Sequence, residues 1–316
     1  MKHKQNQIAI WNVGPFLPSV MGVNIKDFYQ QIELKLKTQI KFKRRFSEAI
    51  LYPGVWPDYG TVVEPSAFGC DIKWVKNEAP YIKPNNDDYS ITVANPEKDG
   101  LMPIVLEEYK YMWENIDPRY IEKYEYLRGV AYSLGPLETT GLILGYERFF
   151  IEMYTNPDKI KNDIKQVTET IIKWLKAQEK VNGKVKKLFI ADHVPSQISK
   201  EFFLEFGLPA LKAIFKEFPE DSLKLWHNEG DVKHIKEYID QIGCNIFHCG
   251  DDINELLKAT KSVVMMGNIS TTELLNGQDS DIVHKTFELL SDVIDPARLI
   301  ISSAGGMAPD TPIENI

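Results

Sequence analysis

From about residue 105 onward, the apolar positions alternate between two periods. Ile160, Ile164, Val167, Ile171 and Trp174 recur at spacings of four and three, which predicts the buried face of a helix. That helix begins after Asn156–Pro157, where proline suits a first turn, and stops near Asn182–Gly183. Leu188–Ala191 is a short, continuously apolar run, and a helix is predicted next over 198–218. The cycle repeats as strand 223–226 and helix 231–242, strand 245–249 and helix 252–260, strand 263–266 and helix 271–294, then strand 299–302. Runs that are apolar on both faces belong to parallel strands covered on both sides.

Ala49–Tyr52, Ser90–Val93 and Leu127–Tyr132 are the earlier strand candidates. Together they bring the count to about eight, the number that closes a barrel. The expected fold class is therefore α/β, a (β/α)8 TIM barrel in a single domain spanning 1–316. Regular βα units fill 105–316, and a Pro- and aromatic-rich portion, read as irregular, fills 1–100. No G-x-G-x-x-G follows a strand, and the Walker A, G-x-S-x-G and H-E-x-x-H patterns are absent.

Composition narrows the class further. The chain has 316 residues, 43% hydrophobic and 26% charged, which excludes disordered and low-complexity classes. A chain this long buries about three quarters of its unfolded surface and needs no disulfide or metal to make a core. The net charge of −8, from 37 basic and 45 acidic side chains, argues against a nucleic-acid partner. No apolar run approaches the roughly 20 residues of a membrane span, and no signal-peptide pattern precedes the first predicted element. Cys70, Cys244 and Cys249 cannot form a disulfide framework, so a reducing, cytoplasmic location is expected.

In a barrel, chemistry collects at the C-terminal ends of strands. Reading those ends gives Asp192 and His193, then His227, Asn228 and Glu229, then His248, Cys249, Asp251 and Asp252, then Gly267 and Asn268, and last the Ser302–Gly306 segment. The chain has six histidines, and three of them stand at consecutive strand ends. Histidine titrates near neutrality and is the commonest metal ligand. His227 and Glu229 lie two apart on an extended segment and so point the same way. They are the first candidates for metal ligands, with a third from His248, Cys249 or Asp251. Three protein ligands and an open position make a catalytic zinc site. Asp192 and His193 are candidates for handling protons or substrate, and His248 and Asp251 for a ligand or an orienting group. Asn268 is a candidate wall donor, Trp56 and Tyr59 are candidates to wall a pocket, and Gly305 could let backbone approach a ligand.

Several segments carry a family resemblance. They are Ser133-Leu-Gly-Pro136, Gly145-Tyr-Glu147, Asn156-Pro157, Asp192 with Ile198-Ser-Lys-Glu-Phe202, His227-x-x-Gly230, Gly267-Asn268-Ile, and Gly305-Gly-Met-Ala-Pro-Asp-Thr-Pro312-x-Glu-Asn315. From about residue 45 to the end, the chain resembles the uroporphyrinogen decarboxylase superfamily. More narrowly, it resembles the corrinoid-dependent methyltransferase branch, of the methylcobalamin:coenzyme M type. The family continues into a further helix, so Ile316 is expected to fall short of the family's end.

The resemblance implies a barrel with its site in the mouth. It also implies a corrinoid (cobalamin) carried on a partner protein, a small-molecule methyl donor or acceptor, and zinc held by His-x-Cys and a distal Cys. Here His227 is kept, Glu229 stands at the first cysteine position and Gly305 at the second. The decarboxylase's N-terminal arginine loop has no counterpart, since residues 1–43 contain no arginine. A histidine–carboxylate set leaves a harder Lewis acid than thiolates do, suited to polarising the oxygen of an O-methyl group. The expected function is a corrinoid-dependent methyltransferase. The alternatives are a related lyase on another small substrate and a binding barrel without catalysis.

Overall fold

The computed structural model describes residues 7–85 and 89–316. Its strands are β1 (Gln7–Trp11), β2 (Ile50–Tyr52), β3 (Asp71–Lys73), β4 (Tyr81–Lys83), β5 (Val130–Leu134), β6 (Lys187–Ala191), β7 (Leu223–Asn228), β8 (Ile246–Cys249), β9 (Val264–Ile269) and β10 (Leu299–Ser303). β3 and β4 form a separate antiparallel hairpin. The other eight make one sheet in the order β2-β1-β10-β9-β8-β7-β6-β5, parallel throughout. This is the expected TIM-barrel architecture. β5, β8 and β10 are buried along their whole length, as strands between a filled interior and a helical coat must be.

Among the described residues no backbone ladder joins the sheet's ends, β2 and β5. Side chains close the seam instead. Trp56 packs on Tyr132 with ring centroids 4.4 Å apart, and Tyr52 on Phe189 at 5.6 Å. Gly54, at φ +101°, lets the Tyr126 ring press onto the backbone; a Cβ there would stand 2.7 Å from the ring. Trp11, Tyr132 and Phe189 fill the barrel beneath the mouth.

Two strand expectations need correction. Ser90–Val93 forms no strand, and the strand it was to supply is β1, Gln7–Trp11, which lies between β2 and β10. Pro15 and Pro18 follow that run and do not interrupt it. The strand read as Leu127–Tyr132 is Val130–Leu134. The N-terminal portion is also more regular than its composition implies, with helices at Phe16–Val20, Ile25–Gln30 and Ile32–Arg45.

The helix after Asn156 runs over Pro157–Asn182, as its periodicity requires. The helix read as 198–218 is broken into Lys200–Phe202, a π-turn over Phe203–Gly207, and Leu208–Lys216. Pro209 has no N–H to offer the preceding turn, and the backbone widens there. The segment 271–294 divides at Gly277 into Thr271–Asn276 and Asp279–Asp292. Among the described residues, no helix is long and apolar enough to cross a membrane.

Candidate metal centre

Three adjacent parallel strands deliver the site. β6 and β7 place Ala191 beside His227, and β7 and β8 place His227 beside His248. His193 follows the end of β6 by two residues, so the three imidazoles share one rim of the barrel. His193 Nε2 lies 3.2 Å from His227 Nε2. His227 Nδ1 lies 2.9 Å from His248 Nδ1, and His248 Nε2 lies 3.0 Å from the Ser303 carbonyl oxygen. Trp11, at the end of β1, stacks beneath His227 with centroids 4.7 Å apart and meets His248 edge-on at 5.2 Å.

Glu229 completes the front of the site. Its Oε2 lies 3.9 Å from His227 Nε2, and its side chain is 45% exposed against 4% for His227. The donor atoms of His193, His227 and Glu229 all lie within 4.8 Å of one another. Gly306 N–H donates to Glu229 Oε2 at 2.7 Å. The carboxylate occupies the space of a side chain at position 305, since a Cβ on Gly305 would meet Glu229 Cβ at 2.7 Å and Cδ at 2.8 Å.

This donor set fits a divalent transition metal. Two nitrogens bound to one tetrahedral zinc at about 2.0–2.1 Å stand about 3.3 Å apart, close to the spacing seen between the two Nε2 atoms. Each ligating imidazole is also held at its other nitrogen, the usual support of a metal-binding histidine. The third donor is His193, which the sequence reading had placed among proton-handling groups. The structure places none of the three expected third ligands in this cluster. Cys249 is fully buried, its Sγ faces the Met266 carbonyl, and burial raises its thiol pKa well above the usual range. Asp251 Oδ2 accepts from Val232 N–H, and its main-chain carbonyl accepts from Asn268 Nδ2, so both side chains brace loops. His248 stands behind His227.

Glu138 was missed by sequence reading. Its Oε2 lies 3.4 Å from His193 Nδ1 and accepts from His193 N–H at 3.1 Å, while Tyr146 donates to Oε1 at 2.5 Å. Both residues lie in or beside segments that carry the family resemblance, but β5, whose end leads to Glu138, was read a few residues early. Asp192 is fully buried, and its oxygens accept from Leu137 and Glu138 N–H at the start of helix Pro136–Leu144. It anchors the element that carries Glu138 instead of facing the mouth. Gly135 permits this, because a Cβ there would sit 2.5 Å from Asp192 Cγ.

The electrostatics follow from this layout. Burial pushes the Asp192 carboxyl up to about 8, and the neighbouring Glu138 charge adds to the effect. Burial works against a charge on His193, but the Glu138 carboxylate outweighs it and raises the imidazole above its usual range. Burial drives His227 well below that range and His248 down to about 4. Burial thus disfavours a charge on both rings, the state a metal ligand and its support need, while a metal ion at His193 would have to displace the proton that Glu138 favours.

Trp56 and Tyr59 are buried. Trp56 packs on Tyr132, which meets Trp11 beneath His227, and it lines a small cavity with Tyr132 and Gly60. Tyr59 donates to Glu108 at 2.6 Å, and the Lys35 Nζ over its ring is 2.8 Å from the same carboxylate.

Fold and site together define a barrel protein with a histidine–carboxylate cluster at its rim. The chain belongs to the uroporphyrinogen decarboxylase (URO-D) family, whose profile matches residues 17–316. It is 24% identical over 277 residues to a methylated-thiol–coenzyme M methyltransferase of Methanosarcina mazei, covering 82% of this chain and 69% of that one. It is also 24% identical over 292 residues to a uroporphyrinogen decarboxylase of Orientia tsutsugamushi, covering 86% and 78% respectively. A solved methyltransferase from Methanosarcina mazei superposes with a TM-score of 0.80 at 20% identity, covering 99% of this chain and 91% of that one. That last likeness establishes the fold.

Proposed function

We propose that this chain is a corrinoid-linked methyltransferase acting on a small methylated substrate, with zinc held by His193, His227 and Glu229. The observation that carries this reading is the convergence of those three donors at the barrel mouth, in a chain similar to a methylated-thiol–coenzyme M methyltransferase. Zinc supplies Lewis acidity toward the atom that gives up the methyl group, and a corrinoid on a partner protein supplies or takes the methyl group.

The chain's own residues hold and orient. Glu138 keeps His193 Nδ1 occupied and turns its Nε2 toward the site. Trp11 excludes water from beneath the imidazoles. Glu229, set by Gly306 N–H, brings negative charge to the open side of the cluster. The set contains no thiolate, which favours oxygen over sulfur as the polarised atom and makes O-methyl compounds the first substrate class to test. The decarboxylase alternative is weaker, because residues 1–43 offer no arginine to a polycarboxylate.

The test is anaerobic purification, metal analysis, and a methyl-transfer assay from methoxylated, methylamine and methylthiol compounds to a reduced corrinoid. Stoichiometric zinc and corrinoid methylation from a methoxylated compound are expected. Metal-free protein that is fully active, or turnover without any corrinoid, would overturn the proposal.

A further inference from the structure

The histidine cluster contains a chain of contacts whose proton positions are fixed from one end. A backbone carbonyl oxygen only accepts, so His248 Nε2, 3.0 Å from Ser303 O, must carry the hydrogen. His248 is fully buried and has no anionic partner at either nitrogen, which leaves it neutral with a bare Nδ1. That lone pair faces His227 Nδ1 at 2.9 Å, so His227 Nδ1 must donate. His227 is then left with its lone pair on Nε2, directed into the site. At the other end, the Glu138 carboxylate faces His193 Nδ1 at 3.4 Å and favours a proton there. His193 Nε2 and His227 Nε2 lie 3.2 Å apart, so the His227 lone pair is met there by a cation, either a proton carried on His193 Nε2 or a metal ion in its place.

We infer that His248 is a positioning residue: hydrogen-bonded to the Ser303 carbonyl, it fixes the tautomer of His227 and presents the His227 Nε2 lone pair to the ion. Ser303 and Glu138 are the two fixed ends of this relay, and neither touches the ion. Gly305 contributes to the Ser303 end, because its carbonyl accepts the Ser303 hydroxyl at 2.7 Å. The inference rests on the metal reading for its purpose. The tautomer pattern itself belongs to the metal-free protein.

Selective 15N labelling of the six histidines, with two-bond 1H–15N spectra of the metal-free protein, reads the ring protons directly. The expected result is Nε2–H on His248 and Nδ1–H on His227. Zinc and cobalt(II) affinities are then measured by chelator competition for wild type, His248→Asn and His248→Leu. Asparagine keeps an acceptor where the imidazole Nδ1 stood, so His248→Asn binds nearly as wild type. Leucine offers none, so His227 shifts to Nε2–H and zinc affinity falls 10- to 100-fold, the range for losing a support of this kind. Nε2–H on His227 in the metal-free wild type overturns the inference, as does unchanged zinc affinity in His248→Leu. If His248→Leu fails to fold, the wild-type spectrum and His248→Asn still decide. Expected tautomers in a wild type that binds neither metal would support the relay and defeat the zinc reading.

Discussion

The carboxylate of Glu229 stands where a side chain at position 305 would otherwise be, and Gly306 N–H holds it there at 2.7 Å. One residue thus fills the space of two. The family resemblance aligns both positions with cysteines, and the substitutions at 229 and 305 are physically coupled: the longer side chain at one needs the missing side chain at the other.

That coupling is testable by exchange. Gly305→Ala alone displaces the carboxylate and lowers zinc affinity by at least tenfold, on the scale of a lost or misplaced support. Glu229→Cys combined with Gly305→Cys removes the contact with the carboxylate and installs two thiolates, while the Cβ–Cβ approach of 2.7 Å requires the two segments to move apart slightly. Its cobalt(II) form gains an intense near-ultraviolet thiolate-to-metal band that wild type lacks. Cobalt spectra of the single and double variants check both outcomes.

Glu138→Gln preserves the shape of the group that accepts from His193 N–H and Tyr146 but removes its charge. His193 becomes a weaker donor, and zinc affinity falls 10- to 100-fold with the melting temperature little changed. Chelator competition beside a thermal melt separates the two effects.

Gly54→Ala tests the barrel seam, where no metal-donor side chain lies in the contact. The new methyl would meet the Tyr126 ring and force φ +101° on a residue with a Cβ. Overpacking and backbone strain together cost about 2–4 kcal/mol. Denaturant midpoints report the loss, while zinc affinity of the folded fraction stays at the wild-type level.

Glu64 gives the fold a pH dependence. Burial pushes its carboxyl from 4.5 up to about 7, despite hydrogen bonds from Ser133 and Leu134 N–H. The folded chain holds a proton that the unfolded chain releases between those values. Its contribution to stability therefore falls as pH rises through that window and is level above it. Glu64→Gln removes the titration, so the variant gains on wild type with rising pH, by on the order of 3 kcal/mol at most. Unfolding curves at pH 5 and pH 8 check the sign.

What was legible in the sequence follows the range of each signal. The helix over 157–182 and the run of buried strands from 187 onward were visible because periodicity and apolar continuity are local. Reading strand ends found His193, His227, Glu229 and His248, because barrel topology turns positions in sequence into neighbours in space. It could not assign their roles. Whether His193 or His248 joins the candidate metal cluster depends on a two-residue offset past β6 and on the carbonyl of Ser303, a residue 55 positions away from His248. Glu138 and Trp11 were missed for related reasons: Trp11 ends a strand that was unread, and Glu138 lies in the first turn of the helix that follows a misplaced one.

Trp11 has a consequence for traffic. It covers His227 and His248 from one side, and the cluster is open to solvent where Glu229 is 45% and His193 27% exposed. In the proposed methyl transfer, a small molecule and a protein-borne cofactor would both approach from that open side, and the small reactant would then be seated before the macromolecule docks.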